Sequence, residues 1–168
     1  ITGVETGEII KSLVDRIKPS LVICVDALGA RKLERVNRTI QIGDVGISPG
    51  AGVGNNRMQI NEETLGCKVV AVGVPTVVHA ATIVNDTMDL LLDELISKAE
   101  TGKEFYNMLK SVDRAEKNAL IKEVLNPFVG ELMVTPKDVD LVIQNLSKVV
   151  ANGINIATQP HMDLEDIN

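Results

Sequence analysis

The sequence predicts a single α/β domain over residues 1–168, with a largely parallel sheet. Short apolar runs rich in β-branched residues, the pattern of buried strands, alternate with stretches whose apolar residues recur at helical spacing. The composition agrees, since 45% of the 168 residues are hydrophobic and 24% are charged, as in globular domains with one core. Two Phe, one Tyr and no Trp leave that core to aliphatic side chains.

The predicted elements of the first hundred residues alternate along the chain. Three apolar runs are predicted as strands, over residues 21–25, 38–42 and 69–74. Three stretches are predicted as helices, over residues 5–18, 27–34 and 79–97. Pro19 ends the first helix and Pro75 ends the third strand, because proline cannot donate a backbone hydrogen bond.

The last third of the chain is predicted to be helical but less regular. Residues 98–130 are polar, with short helical turns, and are interpreted as a peripheral helical insertion. Thr135 as N-cap and Pro136 at the first helical position predict the start of a final helix. Gly153 is a point where that helix is open to interruption.

Charge, cysteine content and hydropathy restrict the environment of the protein. The net charge of −6 disfavours nucleic acid and suits either a basic partner or simple solubility. Cys24 and Cys67 lie in or beside apolar runs, which predicts buried thiols in a reducing compartment. No apolar stretch reaches the length of a membrane span and no signal peptide is visible, so we expect a cytoplasmic protein without membrane contact.

Asp26 is the first candidate for chemistry. It follows the apolar strand over residues 21–25, and ligands of open parallel sheets gather beyond the carboxyl ends of strands. A partly desolvated carboxylate there suits acid–base catalysis. The alternative is a structural aspartate that caps the helix predicted next, and position alone does not separate the two.

The second candidate region is the glycine-dense stretch over residues 43–56. Asp44, at its start, is either a second acid of the same cleft or an ordinary turn residue. The stretch lacks the strand–turn–helix context of a dinucleotide motif and the Gly-Lys-Ser/Thr of a phosphate-binding loop. We interpret it as a loop that covers substrate, with four candidate contacts: Gly50, Gly52, Gly54 and Asn55.

The two histidines offer little further chemistry. His79 and His161 have no metal-ligand spacing with each other or with the cysteines, and no Gly-x-Ser-x-Gly elbow occurs. We therefore predict no cofactor. A second hypothesis makes Asp26 and Asp44 the ligands of a hard divalent ion.

Several segments resemble the germination protease family in order and spacing. They include Val25-Asp26-Ala27-Leu28-Gly29-Ala30-Arg31, Leu33-Glu34-Arg35-Val36-Asn37, Pro49-Gly50-Ala51-Gly52-Val53-Gly54-Asn55, Gly73-Val74-Pro75-Thr76-Val77-Val78 and Leu132-Met133-Val134-Thr135-Pro136-Lys137. The resemblance covers most of the chain outside residues 98–130. It implies a three-layer α/β/α sandwich similar to that of hydrogenase-maturation endopeptidases, in which Asp44 matches a metal-ligand position by likeness of fold.

The resemblance also implies a function. It suggests the C-terminal part of an aspartic-type endopeptidase, made as a zymogen, that degrades small acid-soluble spore proteins in the spore core and assembles as a homotetramer. Asp26 then corresponds to one of two catalytic aspartates, and nothing in this chain matches the other. We expect the chain alone to be inactive, and a core fragment that only binds substrate or self-associates is the non-enzymatic alternative.

Overall fold

The computed structural model describes residues 5–51, 57–163 and 165. Its strands are β1 (Leu21–Ala30), β2 (Gln41–Gly43), β3 (Lys68–His79) and β4 (Met133–Val134). Its helices are α1 (Thr6–Ile17), α2 (Glu62–Leu65), α3 (Ala80–Lys98), α4 (Lys103–Ser111), α5 (Arg114–Val129) and α6 (Val139–Thr158), with a 3-10 turn at Leu33–Arg35. None of these helices is both long and apolar enough to cross a membrane.

The sheet is mixed, and its long pair is parallel. Its strand order is β1-β3-β2, and β4 also pairs with β3. Ten residue pairs join β1 and β3 in parallel, whereas β2 and β4 pair with β3 antiparallel through three and two residues. Most paired residues are therefore parallel, and the predicted fold class, α/β with a mostly parallel sheet and added helices, is confirmed.

Both faces of the sheet are covered. On one face, Val14 of α1 and Leu65 of α2 pack with Cys24, Ile60 and Val69 in a cluster that we call the apolar layer. Side chains alternate along a strand, so Val72 and Val74 point to the opposite face, and they are buried there as well. Helices α3 and α6 also contact β3. This arrangement agrees with a sandwich of helices on a central sheet.

Three predicted boundaries around the sheet are wrong. Strand β1 runs on to Ala30, so no helix forms over residues 27–34 and only the short 3-10 turn follows. Strand β3 continues through Pro75 to His79, because the register between β1 and β3 shifts beside that proline. Irregular positions of this kind are where strands tolerate proline.

The helices of the last third also differ from the prediction. The short turns expected within residues 98–130 are two full helices, α4 and α5. Helix α6 begins at Val139 rather than at Pro136, because the Thr135 hydroxyl donates to the Thr76 carbonyl instead of capping a helix. Gly153 does not interrupt α6.

Candidate active site

Asp26 lies in the middle of β1, half buried, with its Oδ1 accepting from the Ala27 N–H at 2.9 Å. Both sequence interpretations of its position need correction. It does not end a strand, since β1 continues for four more residues, and it caps no helix, since none follows directly. Its surroundings are therefore set by the neighbouring strands.

One row of residues crosses the sheet at Asp26. The register places Gly73 of β3 opposite Asp26 and also opposite Gln41 of β2. Paired residues project to the same face, so Asp26 and Gln41 flank a position without a side chain, about 10 Å apart between Cα atoms. A Cβ on Gly73 would lie 2.4 Å from Leu28 Cδ1, which shows that Leu28 occupies this gap.

An open cleft of about 1440 Å³ contains this row. Most of its lining comes from the second half of β1 with the turn after it, from β2 with the glycine-rich loop, and from one face of α5, and residues of β3, α3 and β4 complete it. Asp26 and Gln41 both contribute to the lining. The cleft is open, and it brings the first candidate residue together with the described part of the loop predicted to cover substrate.

The other predicted site residues are distributed unevenly. Gly50 lines the cleft, whereas Asp44 is exposed in the bend after β2 and does not line it. The β2–β3 ladder runs from Gln41 opposite Gly73 to Gly43 opposite Ala71, so Asp44 follows on the side away from the Asp26 row. The predicted contacts Gly52, Gly54 and Asn55 lie outside the described residues.

Cys24 lies two residues before Asp26 on the same face of β1. Burial and, to a lesser extent, the Asp26 carboxylate raise the pKa of the Cys24 thiol above its ordinary value. The thiol therefore stays protonated near neutral pH and is a poor nucleophile. The prediction of a buried thiol is confirmed for Cys24 but is wrong for Cys67, which is only half buried, and both cysteines are free.

Cationic side chains lie at the other end of the cleft. Arg31, Arg35 and Lys122 line it, and none of the three forms an ion pair within the described part of the chain. Asp113, the second carboxylate of the lining, caps α5 by accepting from the Ala115 and Glu116 N–H groups. The cleft thus combines two carboxylates, of which Asp113 is engaged as a helix cap, with three cations that form no ion pair among the described residues.

His79 caps α3 with its side chain. Its Nδ1 accepts from the Ala81 N–H at 3.2 Å, so a neutral ring carries its proton on Nε2, which is buried without a partner among the described residues. The part of the chain that the structure describes contains no group of three His, Cys, Asp or Glu side chains able to hold a metal. Asp26 and Asp44, the ligands of the metal hypothesis, are not brought together.

Sequence reasoning missed two residues of the cleft, Gln41 and Lys122. The sequence identified Gln41 only as part of a predicted strand. Its position across from Asp26 depends on the register of the strands, which no local pattern shows. Lys122 belongs to the weakly periodic segment 98–130, where the only signal was a helix with cations on one side.

The comparisons with known proteins agree with the resemblance noted in the sequence. The family model described as germination protease matches residues 1–101 and 91–168. The germination protease of Clostridium perfringens strain 13 is 68% identical over 168 residues, which are all of this chain and 52% of that protein. That of Clostridium tetani is 66% identical over the same share of each chain, and that of Bacillus pumilus is 43% identical over 94% of this chain and 50% of its own. The chain thus spans about half the length of these relatives, and it belongs to the germination protease family.

Proposed function

We propose that this chain is the C-terminal part of an endopeptidase that degrades small acid-soluble spore proteins during germination, in the cytoplasm of the spore core. The observation that carries the proposal is the place of Asp26, a half-buried carboxylate inside an open cleft, in a chain of the germination protease family. The relatives named germination protease supply the reaction and its setting.

Asp26 acts as one member of a carboxylate pair in the proposed mechanism. Two carboxyl groups held close together do not both ionise, so one keeps a proton while the other serves as base. The base takes a proton from water, which attacks the peptide carbonyl, and the acid protonates the leaving nitrogen. The second carboxylate comes from the part of the relatives' length that this chain does not span, so the chain alone is inactive.

The cleft supports the binding of an extended peptide beside Asp26. Among the described residues the side-chain amide of Gln41 has no hydrogen-bond partner, and it can donate to or accept from a peptide backbone in the same row. Gly50 forms part of the loop wall, where the lack of a side chain lets substrate approach closely. We keep Gly52, Gly54 and Asn55 as further contacts, and Asp44 as a contact for substrate that extends beyond the cleft.

The remaining parts of the proposal concern assembly. We propose a homotetramer that binds neither nucleic acid nor membrane, in line with the net charge of −6. Light scattering of the full-length protein tests the tetramer directly. A monomer at micromolar concentration would contradict it.

Substitution of Asp26 by Asn tests the catalytic role. In a protein of the relatives' full length that carries this sequence, Asp26→Asn should lower the rate of spore-protein cleavage about 1000-fold, because the amide can neither accept nor release the catalytic proton. The thermal unfolding midpoint should stay near that of the wild type, since the side chain lies in an open cleft.

Asp44→Asn is the matched control for this test. It removes an equally short carboxylate that lies outside the cleft lining and contacts only substrate beyond the cleft, so it should leave kcat within about threefold of wild type even where KM rises. Cleavage by Asp26→Asn at more than a tenth of the wild-type rate would exclude the proposed mechanism.

A further inference from the structure

Two charged side chains meet the backbone just after β1. Arg114, the first residue of α5, donates from Nη2 to Asp86 Oδ1 at 2.5 Å and to the Arg31 carbonyl oxygen at 3.0 Å. Asp86 of α3 accepts on its other oxygen from the Leu33 N–H at 2.7 Å. Together they engage one acceptor and one donor of the turn that follows β1, and we call this arrangement the turn clamp.

The turn clamp is partly shielded from water. The Asp86 side chain is 14% exposed, and a second acid, Asp89, lies 3.8 Å from Arg114 Nη1. Charge-assisted hydrogen bonds in such surroundings are shorter and stronger than those of exposed ion pairs. The clamp therefore fixes the turn more firmly than a surface contact would.

The clamped turn carries cations into the cleft. Arg31 and Arg35 lie on either side of Leu33, and both line the cleft that contains Asp26. Arg31 follows Asp26 by five residues, which places it about 16 Å along the strand direction. Neither arginine has an ion-pair partner among the described residues. The position of the two guanidinium groups therefore depends on the backbone of the turn.

We propose that Asp86 and Arg114 are positioning residues that hold Arg31 and Arg35 in the cleft as substrate-binding groups. The inference rests on the proposed function. The two guanidinium groups donate to oxygen atoms of the bound polypeptide, several residues away from the peptide bond that Asp26 acts on. Asp86 does not line the cleft, and Arg114 does, but its guanidinium is engaged with Asp86, Asp89 and the Arg31 carbonyl oxygen, so both residues act through the turn rather than by binding substrate.

The ion pair between Lys110 and Asp93 provides a matched comparison. It also joins the insertion to α3, but among the hydrogen bonds and ion pairs of the described residues neither of its side chains bonds to the turn after β1. If the clamp served only to attach the insertion, loss of either ion pair should have the same consequences. If the clamp positions the turn, only its own loss should affect substrate binding.

The test uses a protein of full length and two readouts. Asp86→Ala and Arg114→Met should each raise the KM for spore-protein cleavage about tenfold while kcat stays within about threefold. In hydrogen-exchange mass spectrometry, peptides covering residues 27–38 should exchange faster in both variants. Asp93→Ala should leave KM and the exchange of these peptides unchanged.

A conservative variant separates positioning from folding. Arg114→Lys keeps the charge next to Asp86 but lacks the planar fork that reaches Asp86 and Arg31 together, so it should keep the wild-type unfolding midpoint and still raise KM about threefold. Wild-type KM and exchange in all clamp variants, or an equal KM rise in Asp93→Ala, would overturn the inference. A wild-type protein that cleaves no spore protein would refute the proposed function instead, and the exchange data would then decide the clamp alone.

Discussion

The apolar layer and the α4–α5 hairpin are attached to the same central structure by different forces. The apolar layer buries Val14, Cys24, Ile60, Leu65 and Val69 almost completely. Helix α4 buries no residue, and α5 buries Ile121 but leaves Leu120, Val124 and Phe128 exposed. The hairpin instead meets α3 through ion pairs, from Lys110, Arg114 and Lys117 to Asp93, Asp86 and Asp89.

This difference indicates that the two regions have different roles, one in the stability of the fold and the other in the placement of residues around the cleft. Burial of apolar side chains is the main source of folding free energy, whereas exposed ion pairs contribute little of it. Ion pairs are directional, however, and they fix which residues of α5 face the cleft. We infer that the apolar layer determines whether the chain folds, and that the hairpin determines how one wall of the cleft is arranged.

The largest expected effect on stability is in the apolar layer. Ile60 is 1% exposed, and Ile60→Ala should lower the free energy of unfolding by about 3–4 kcal/mol, since it removes buried methyl groups and leaves a cavity. Ile42→Ala, at a position 74% exposed, should change it by less than about 0.5 kcal/mol. Urea unfolding of both variants measures the contrast. A loss below 1 kcal/mol for Ile60→Ala would mean that stability resides elsewhere.

A somewhat smaller effect is expected where the glycine-rich loop meets the apolar layer. Gly46 has a φ of +77°, and a Cβ there would lie 2.2 Å from the Ile60 carbonyl oxygen, which accepts from the Ile47 N–H. Gly46→Ala should therefore cost about 2–3 kcal/mol in thermal or urea unfolding.

Gly66→Ala controls for backbone strain in this prediction. Gly66 has a nearly equal φ of +75° but open space around its Cβ position, so its substitution should cost only about 1 kcal/mol. Equal losses for the two variants would show that the close contact with Ile60 is not important.

The smallest effect is expected in the hairpin. Lys117 is the most buried of its cations, and Lys117→Met should lower the free energy of unfolding by about 1 kcal/mol because it leaves Asp89 without that partner. Lys110→Met should cost less than about 0.5 kcal/mol. Unfolding in 0.1 M and 1 M salt checks the cause, since screening should reduce both costs. Costs that do not change with salt would point to packing rather than charge.

The local pattern of the sequence predicted α1 and α3 better than it predicted the other helices or the ends of the strands. The bounds of α1 and α3 came out within one or two residues, because an amphipathic stripe and its terminating residues are local signals. The ends of β1 and β3 were wrong, because strand length depends on pairing partners far away in sequence. The same reason explains why Pro75 was wrongly predicted to end a strand and Thr135 to cap a helix. The role of each residue depends on a distant segment: Pro75 pairs with β1, and Thr135 bonds to Thr76.

The candidate site was predictable only in part. Asp26 and the glycine-rich loop stood out by residue type, and Asp26 and Gly50 do line one cleft. The position of Asp26 within β1, the row through Gly73 to Gln41 and the contribution of Lys122 all require the register and the path of the insertion. Those features come from long-range packing, which produces no periodic pattern in the sequence.

The register shift next to Pro75 connects segments that are distant in sequence. The shift adds Thr76 to β3 without a counterpart in β1. The carbonyls beside it accept from elsewhere, that of Pro75 from the Asn37 N–H at 2.7 Å and that of Thr76 from the Thr135 hydroxyl at 3.0 Å. The middle strand is thereby anchored to the segment that leads into β2 and to the segment that leads into α6. A one-residue deletion at Thr76 would straighten β3, yet it would also detach both segments, so this chain cannot shorten there without rebuilding two distant connections.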